Sequence, residues 1–302
     1  MTPPTGEPTD VDLTVLRGWP LPEPGSDKTA RGVVLMVGGS AGVPGAMVLA
    51  GEASLRAGAG KLQVVTTGSV AGQMAVSIPE ALVRRAEEGD SGDISPSAAD
   101  EIVELAESAS AVLLGPGIMT PDDAVELLGA VVPRLRDQAV VVDALGSAYL
   151  TEDITALHHL EGPTVLTLNP TEVSYTLGVD EDDVSEDPVS AALELAAKAR
   201  AVVLCGGSQK IVANPAGDSW RVTTGNAGLG VSGSGDVQAG IVAGLLGRGA
   251  EAEQAAVWGA WLHGRCGDVL AESVGPVGYL ARELAAAVPR LLVEAAPGAD
   301  EG

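Results

Sequence analysis

Residues 33–66, VVLMVGGSAGVPGAMVLAGEASLRAGAGKLQVVT, hold the pattern that decides the fold. VVLMV (33–37) is a continuous β-branched and aliphatic run without polar alternation, as in a strand covered on both faces. Pro44 to Gly58 then has helical spacing between a proline start and a glycine stop. LQVVT (62–66) follows as a second apolar run. Strand, helix and strand in that order make a parallel crossover unit. The same strand signal recurs at AVLLG (111–115), AVVVD (139–143), TVLTL (164–168) and AVVLC (201–205). Helical spacing lies between several of these runs, over Ser95–Glu107, Pro121–Arg136 and Pro188–Arg200. The fold class is therefore α/β, with a central, mostly parallel sheet and helices on both faces.

Working outward, KIVA (210–213) and SWRVT (219–223) flank a Pro-Ala-Gly-Asp turn and read as a hairpin at the sheet edge. Three longer helices are expected near 234–248, 251–272 and 279–294. Residues 1–30, rich in Pro, Asp, Glu and Thr, read as a flexible N-terminal lead-in. Residues 31–295 read as a single domain, and 296–302 as an acidic tail.

The 302 residues carry 17 Lys and Arg against 41 Asp and Glu, a net charge of −24. Such a field repels nucleic-acid backbones and anionic lipid surfaces. Aromatic residues are only 2% of the chain, too few for base-stacking platforms. Neither nucleic acid nor membrane is expected as a partner. No apolar run approaches the roughly 20 residues of a membrane span. Two cysteines and three histidines make no disulfide framework or zinc spacing, so the expected compartment is the reducing cytoplasm.

Ligands of such folds bind beyond the carboxyl ends of the strands. GGSAGVPGA (38–46) lacks a glycine of the dinucleotide fingerprint at Ser40, and AGAGKLQ (57–63) lacks the hydroxyl residue of a P-loop at Leu62. TTGNAGLGVSGSGDVQAGIVAGLL (223–246) is different: it holds seven glycines and runs into an apolar helix. Unobstructed amides at a helix start cradle anions, and Gly233, Ser234 and Gly235 are the expected cradle. Asp236, in the first helical turn, is expected to be ionised at neutral pH and placed to accept a proton from a hydroxyl during phosphoryl transfer. Capping is the alternative role for it. Glu172, in LNPTEV (168–173), is placed to order a magnesium ion through water or, equally, to face the helix dipole. Asp143 ends a strand and could face the site. His263 lies on an apolar helix with no hydroxyl partner nearby in sequence, which suits a core histidine. Cys205 and Cys266 suit small buried groups.

In order, GGSAGVPGA, RAGAGKLQVVT, LLGPGI, VVDALGSAYL, TLNPTE, TGNAGLGVSGSGDVQAGIVAGLL and AVWGAWLHGRCGD resemble the ADP/ATP-dependent NAD(P)H-hydrate dehydratases over about residues 30–294. The resemblance implies a ribokinase-like fold and a hydro-lyase that repairs nicotinamide cofactors. Its reaction is dehydration of (S)-NAD(P)H hydrate to NAD(P)H at the expense of ADP or ATP, with release of AMP or ADP and phosphate. It also implies Mg2+, NADH hydrate, NADPH hydrate and an adenine nucleotide as ligands, and a homo-oligomer, by resemblance a tetramer. The Ala/Gly-rich helix at 45–58 would allow the close helix packing such an assembly needs.

Carried over by position, Asp236 engages the reacting hydroxyl, and Ala46, Gly117 and Asn169 are substrate contacts. Cys205, Gly206, Gly207, Ser208 and Gln209 form the loop that holds the adenylate, with Gly235 against the nucleotide. Three positions depart from the family pattern: Cys205 stands in place of a lysine, Gln209 in place of a threonine and Asn169 in place of a histidine. The first departure removes a cation from the nucleotide loop. Two other readings stand beside the dehydratase: a ribokinase-like small-molecule kinase, and a degenerate nucleotide-binding protein.

Overall fold

The computed structural model describes residues 6–298. Its strands are β1 (Thr9–Asp10), β2 (Val33–Val37), β3 (Lys61–Thr67), β4 (Ala81–Ala86), β5 (Ala111–Leu114), β6 (Ala139–Asp143), β7 (Thr164–Leu168), β8 (Val202–Cys205), β9 (Lys210–Ala213) and β10 (Ser219–Val222). They form one sheet in the order β1-β10-β9-β8-β7-β6-β5-β2-β3-β4. From β8 to β4 every neighbour pair is parallel; β8 with β9 and β9 with β10 are antiparallel. The apolar runs expected as strands are the strands, and β2, β5, β6, β7 and β8 are buried along their whole length. Two apolar layers flank the sheet, one built on Met36, Leu113 and Trp258, the other on Leu35, Leu114 and Leu166.

β4 was not expected, and its sequence explains why. ALVRRA carries two arginines and alternates in exposure, because the strand lies at the open end of the sheet. The β9–β10 hairpin lies near the opposite end, where β1 pairs in parallel with β10. β1 belongs to the stretch read as a flexible lead-in, and residues 6–30 correct that reading. Leu16, in the Leu13–Gly18 helix, is fully buried. The Trp19 carbonyl accepts from Trp258 Nε1 at 2.9 Å, and Gln254 Nε2 donates to the Pro20 carbonyl at 2.9 Å. Residues 1–5, and 299–302 of the acidic tail, lie outside the described residues.

The helix expected over 279–294 is divided into Ala281–Leu284, a 3₁₀ turn at Ala285–Ala287, and Val288–Glu294. Pro289 at the start of the last piece has no N–H to continue the preceding ladder.

One helix pair sets the geometry of the site. The Gly45–Ala57 and Ser234–Gly247 helices approach so closely that a Cβ on Gly240 would lie 2.2 Å from the Ala50 carbonyl oxygen, and one on Gly244 2.4 Å from that of Ser54. Matching spacings of four residues make the pair parallel, so both N-termini end beyond the carboxyl edge of the sheet. The small-residue face expected to serve assembly is thus spent inside the monomer.

Candidate active site

Beyond the carboxyl ends of β6, β7 and β8, a cavity of about 850 Å³ opens between the loop after β8 and the glycine-rich segment that ends in the Ser234–Gly247 helix. Asp143, Asn169, Glu172, Gly206, Gly207, Ser208, Gly233, Ser234, Gly235 and Asp236 line it, which brings together most of the residues singled out in the sequence. Asp143 closes β6, and its Oδ1 accepts the Thr167 hydroxyl at 2.8 Å. The next residue, Ala144, has φ 50°, a left-handed backbone that non-glycine residues seldom adopt and that turns the chain sharply beside the carboxyl group.

Asn169 caps the Pro170–Leu177 helix in a reciprocal box. Its Oδ1 accepts the Glu172 amide at 2.9 Å while Glu172 Oε2 accepts the Asn169 amide at 2.9 Å. Asp236 sits in the first turn of the next-but-two helix along the rim, following Gly233, whose φ of 87° sets the turn. A side chain there would also drive a Cβ to 2.3 Å from Leu49 Cδ1. The Ser234 amide is taken by the Val231 carbonyl, but the Gly233 and Gly235 amides have no acceptor among the described residues and remain for an anion.

Burial raises all three carboxyl groups, and the charge of Asp236 adds to it at the other two. Burial, then the charges of Asp236 and Glu172, hold Asp143 well above the ordinary carboxylate range. Burial first, with Asp236 adding to it, raises Glu172. Burial pushes Asp236 up to about 6, against the pull of its own backbone N–H. A carboxyl group at about 6 is roughly nine-tenths ionised at pH 7. Asp236 is thus mostly ionised at pH 7, but burial opposes its charge rather than favouring it, and so brings the group near the pH at which a general base works.

Two further residues line the cavity: His263, read in the sequence as a core histidine and indeed buried, and Lys210, which that reading missed. His263 has a hydroxyl partner after all, Ser234 Oγ, 2.8 Å from its Nε2, while its Nδ1 has none among the described residues. Burial, then the neighbouring Lys210, pull the imidazole down to about 3, so it is neutral. The partners are 29 residues apart, and no local pattern joins them. Lys210 lines the cavity from the first position of β9. Its signal was available as the single charge opening the apolar strand KIVA. Behind them, Asp268 accepts from the Gly225 amide and from Asn226 Nδ2, each at 3.2 Å, and Asn226 Oδ1 accepts the Tyr279 hydroxyl at 3.0 Å. These bonds fix the start of the glycine loop.

Four of the expected contacts do not line the cavity. Ala46 and Gly117 lie together at the ends of β2 and β5, where a Cβ on Gly117 would come 3.1 Å from that of Ala46. Gln209 lies outside the lining, and Cys205 is fully buried in the apolar layer with Leu166 and Val203. Burial pushes its thiol up to about 12. A lysine at position 205 would therefore enter the core rather than reach a phosphate. Cys205→Lys is expected to cost about 3–5 kcal/mol of stability as an unpaired buried charge, with no gain in nucleotide affinity. Urea unfolding and calorimetric titration with ADP check both parts.

An anion-binding backbone, a buried cation and a carboxylate poised near neutrality around one cavity are the parts that phosphoryl transfer requires. Comparison with known proteins agrees. The family model described as NAD(P)H-hydrate dehydratase matches residues 34–290. An ADP-dependent (S)-NAD(P)H-hydrate dehydratase of Xanthomonas campestris is 44% identical over 93% of this chain and 95% of its own length. Among solved structures, the ADP/ATP-dependent NAD(P)H-hydrate dehydratase of Bacillus subtilis co-crystallised with ATP and Mg2+ superposes with a TM-score of 0.84 at 28% identity, covering 97% of this chain and all of that one. A ribokinase-like superfamily protein of Enterococcus faecalis shares the fold, with a TM-score of 0.80 at 23% identity over 95% of this chain and 96% of its own.

Proposed function

The chain belongs to the NAD(P)H-hydrate dehydratase family, and from that premise we propose that it converts (S)-NADH hydrate and (S)-NADPH hydrate to the reduced cofactors, consuming ADP or ATP. The observation that carries this reading is one cavity that holds both the Asp236 carboxylate and the free amides of Gly233 and Gly235.

Hydroxide is a poor leaving group, and the site supplies a better one. Asp236 takes the proton of the substrate hydroxyl as that oxygen attacks the terminal phosphorus of the nucleotide. The bond from that phosphorus to the bridging oxygen breaks, and AMP leaves from ADP, or ADP from ATP. Electrons of the adjacent ring nitrogen then expel the phosphate ester, and loss of a proton from the neighbouring carbon restores the ring double bond. Gly206, Gly207, Ser208 and Gly235 hold the nucleotide, and Ala46, Gly117 and Asn169 bound the dihydropyridine side.

The carboxyl groups also bear on magnesium. Among the described residues no group of three or more His, Cys, Asp or Glu side chains is placed to hold a metal ion. Asp143, Glu172 and Asp236 nevertheless line one cavity, where the charge of Asp236 raises both of the others, an arrangement that a cation carried in on the nucleotide's phosphates would relieve. Glu172 would order it through water, and the ion would shield phosphate charge. Glutamine keeps the reciprocal cap but not the charge. Glu172→Gln is therefore expected to leave the melting temperature within about 2 °C while raising the magnesium concentration for half-maximal rate about three- to tenfold, a loss of about 0.6–1.4 kcal/mol. Thermal melts and magnesium titrations of the rate check this.

This reading places the enzyme in the cytoplasm as a homo-oligomer. Its two described cysteines are free and buried, and no described helix is long and apolar enough to cross a membrane. The test is to mix the protein with chemically hydrated NADH, magnesium and either nucleotide. Recovery of dihydronicotinamide absorbance supports the reading. A stable phosphate ester points to a kinase, and thermal stabilisation by nucleotide without product to a binding protein.

A further inference from the structure

Lysine is rarely buried, yet Lys210 is 5% exposed. Its Nζ donates to the Thr224 carbonyl at 3.3 Å, its one hydrogen bond among the described residues. An ammonium group has three N–H donors, so two are left over. No described carboxylate lies within the 4.0 Å of an ion pair. Asp268, whose charge it feels, already accepts from the Gly225 amide and Asn226 Nδ2. The adjacent His263 is neutral and offers no counter-charge. A buried cation in this state lacks a partner, and such groups are normally paired. Its position supplies one: Lys210 lines the same cavity as Gly207 and Gly235, whose amides have no acceptor among the described residues.

We propose that Lys210 grips the phosphates of the adenine nucleotide, its ammonium donating to an anionic phosphate oxygen and supplying from β9 the positive charge that Cys205 does not. This rests on the dehydratase reading and adds a residue that discriminates phosphorylated from unphosphorylated adenosine. Three consequences follow. Removing the charge weakens ADP and leaves adenosine alone. Arginine restores part of the affinity, because it keeps the charge with a different shape. Raising the pH weakens ADP in the wild type, because burial has drawn the ammonium down to about 8, where it loses its proton as the solution becomes alkaline. The other charged or titratable groups that act on it are His263 and Asp268 from the Ala252–Ser273 helix, with Tyr279 beyond Asp268 through its bond to Asn226. His263 is already neutral, and Tyr279 is raised by burial from a phenol's ordinary range.

Calorimetric titration with ADP and with adenosine, in wild type, Lys210→Met and Lys210→Arg, tests the proposal. The expected result is an ADP Kd about 10–100-fold weaker in Lys210→Met, as for loss of a charge-assisted bond, with adenosine changed by less than about twofold. The wild-type preference for ADP over adenosine should also shrink between about pH 7 and pH 9.5, while that of Lys210→Arg stays flat. Equal ADP affinity in wild type and Lys210→Met overturns it. So does parallel weakening of ADP and adenosine, which would make Lys210 a prop for the Thr224 loop. Should neither variant fold, the wild-type series decides, and a pH-independent preference is the contrary result. ADP bound equally well without the charge removes only Lys210 from the account, whereas a wild type that binds no adenine nucleotide removes the dehydratase reading together with this one.

Discussion

Asp236→Asn is expected to lower turnover by about 10²–10⁴-fold, the usual yield of a positioned general base, with ADP affinity retained or slightly tightened. Asparagine preserves the size of the side chain in the first turn of the Ser234–Gly247 helix, so the glycine loop keeps its shape. What disappears is the group proposed to accept the hydroxyl proton. The charge that helps hold Asp143 and Glu172 above the ordinary carboxylate range disappears with it, so the anionic nucleotide meets less repulsion. The sign of the pH dependence follows from burial. Asp236 titrates near 6 and works only when deprotonated, so wild-type kcat/KM should rise as the pH rises through about 6 and level off above it. Steady-state rates in the variant should lack that limb. Near-normal turnover would reduce Asp236 to an acid at a helix start.

Gly240→Ala is expected to destabilise the protein by about 1–3 kcal/mol, the range for overpacking a tight contact. The new Cβ would meet the Ala50 carbonyl oxygen at 2.2 Å, a backbone atom that no rotamer change can move. The two helices must separate, and the Ser234–Gly247 helix places Asp236 on the cavity from its first turn, so activity should fall with stability. Gly72→Ala is the control. Gly72 lies in the Ala71–Ser77 helix with nothing within 4 Å of its Cβ position. The same substitution there should stabilise by about 0.5–1 kcal/mol through helix propensity. Urea unfolding of both variants gives the comparison, and equal midpoints would show that close helix packing does not hold the site together.

These cases show which parts of the molecule are legible in one dimension. β2, β5, β6 and β7 are covered on both faces, and such strands must be continuously apolar, which a sequence displays openly. β4 at the open edge needs to be apolar on only one face, and its arginines conceal it. The lead-in looked unstructured because its composition is polar. What anchors it is one buried leucine and backbone carbonyls that receive Trp258 and Gln254 from the far end of the chain. In the site, Asp236, Asn169 and Glu172 announce themselves because helix starts use local chemistry. Ser234 with His263 does not, since only the packing of the Ala252–Ser273 helix brings the two together. Cys205 misled for the same reason in reverse: its sequence position borders the nucleotide loop while its side chain turns into the core.

If one cavity couples nucleotide cleavage to dehydration of the cofactor, a single reaction of the protein with chemically hydrated NADH, ADP and magnesium yields NADH, AMP and phosphate in equal amounts. Quantifying all three is the decisive experiment, and all three are expected to fall together in Asp236→Asn. AMP released with a stable phosphorylated hydrate and no NADH, or NADH recovered without AMP, would contradict that coupling.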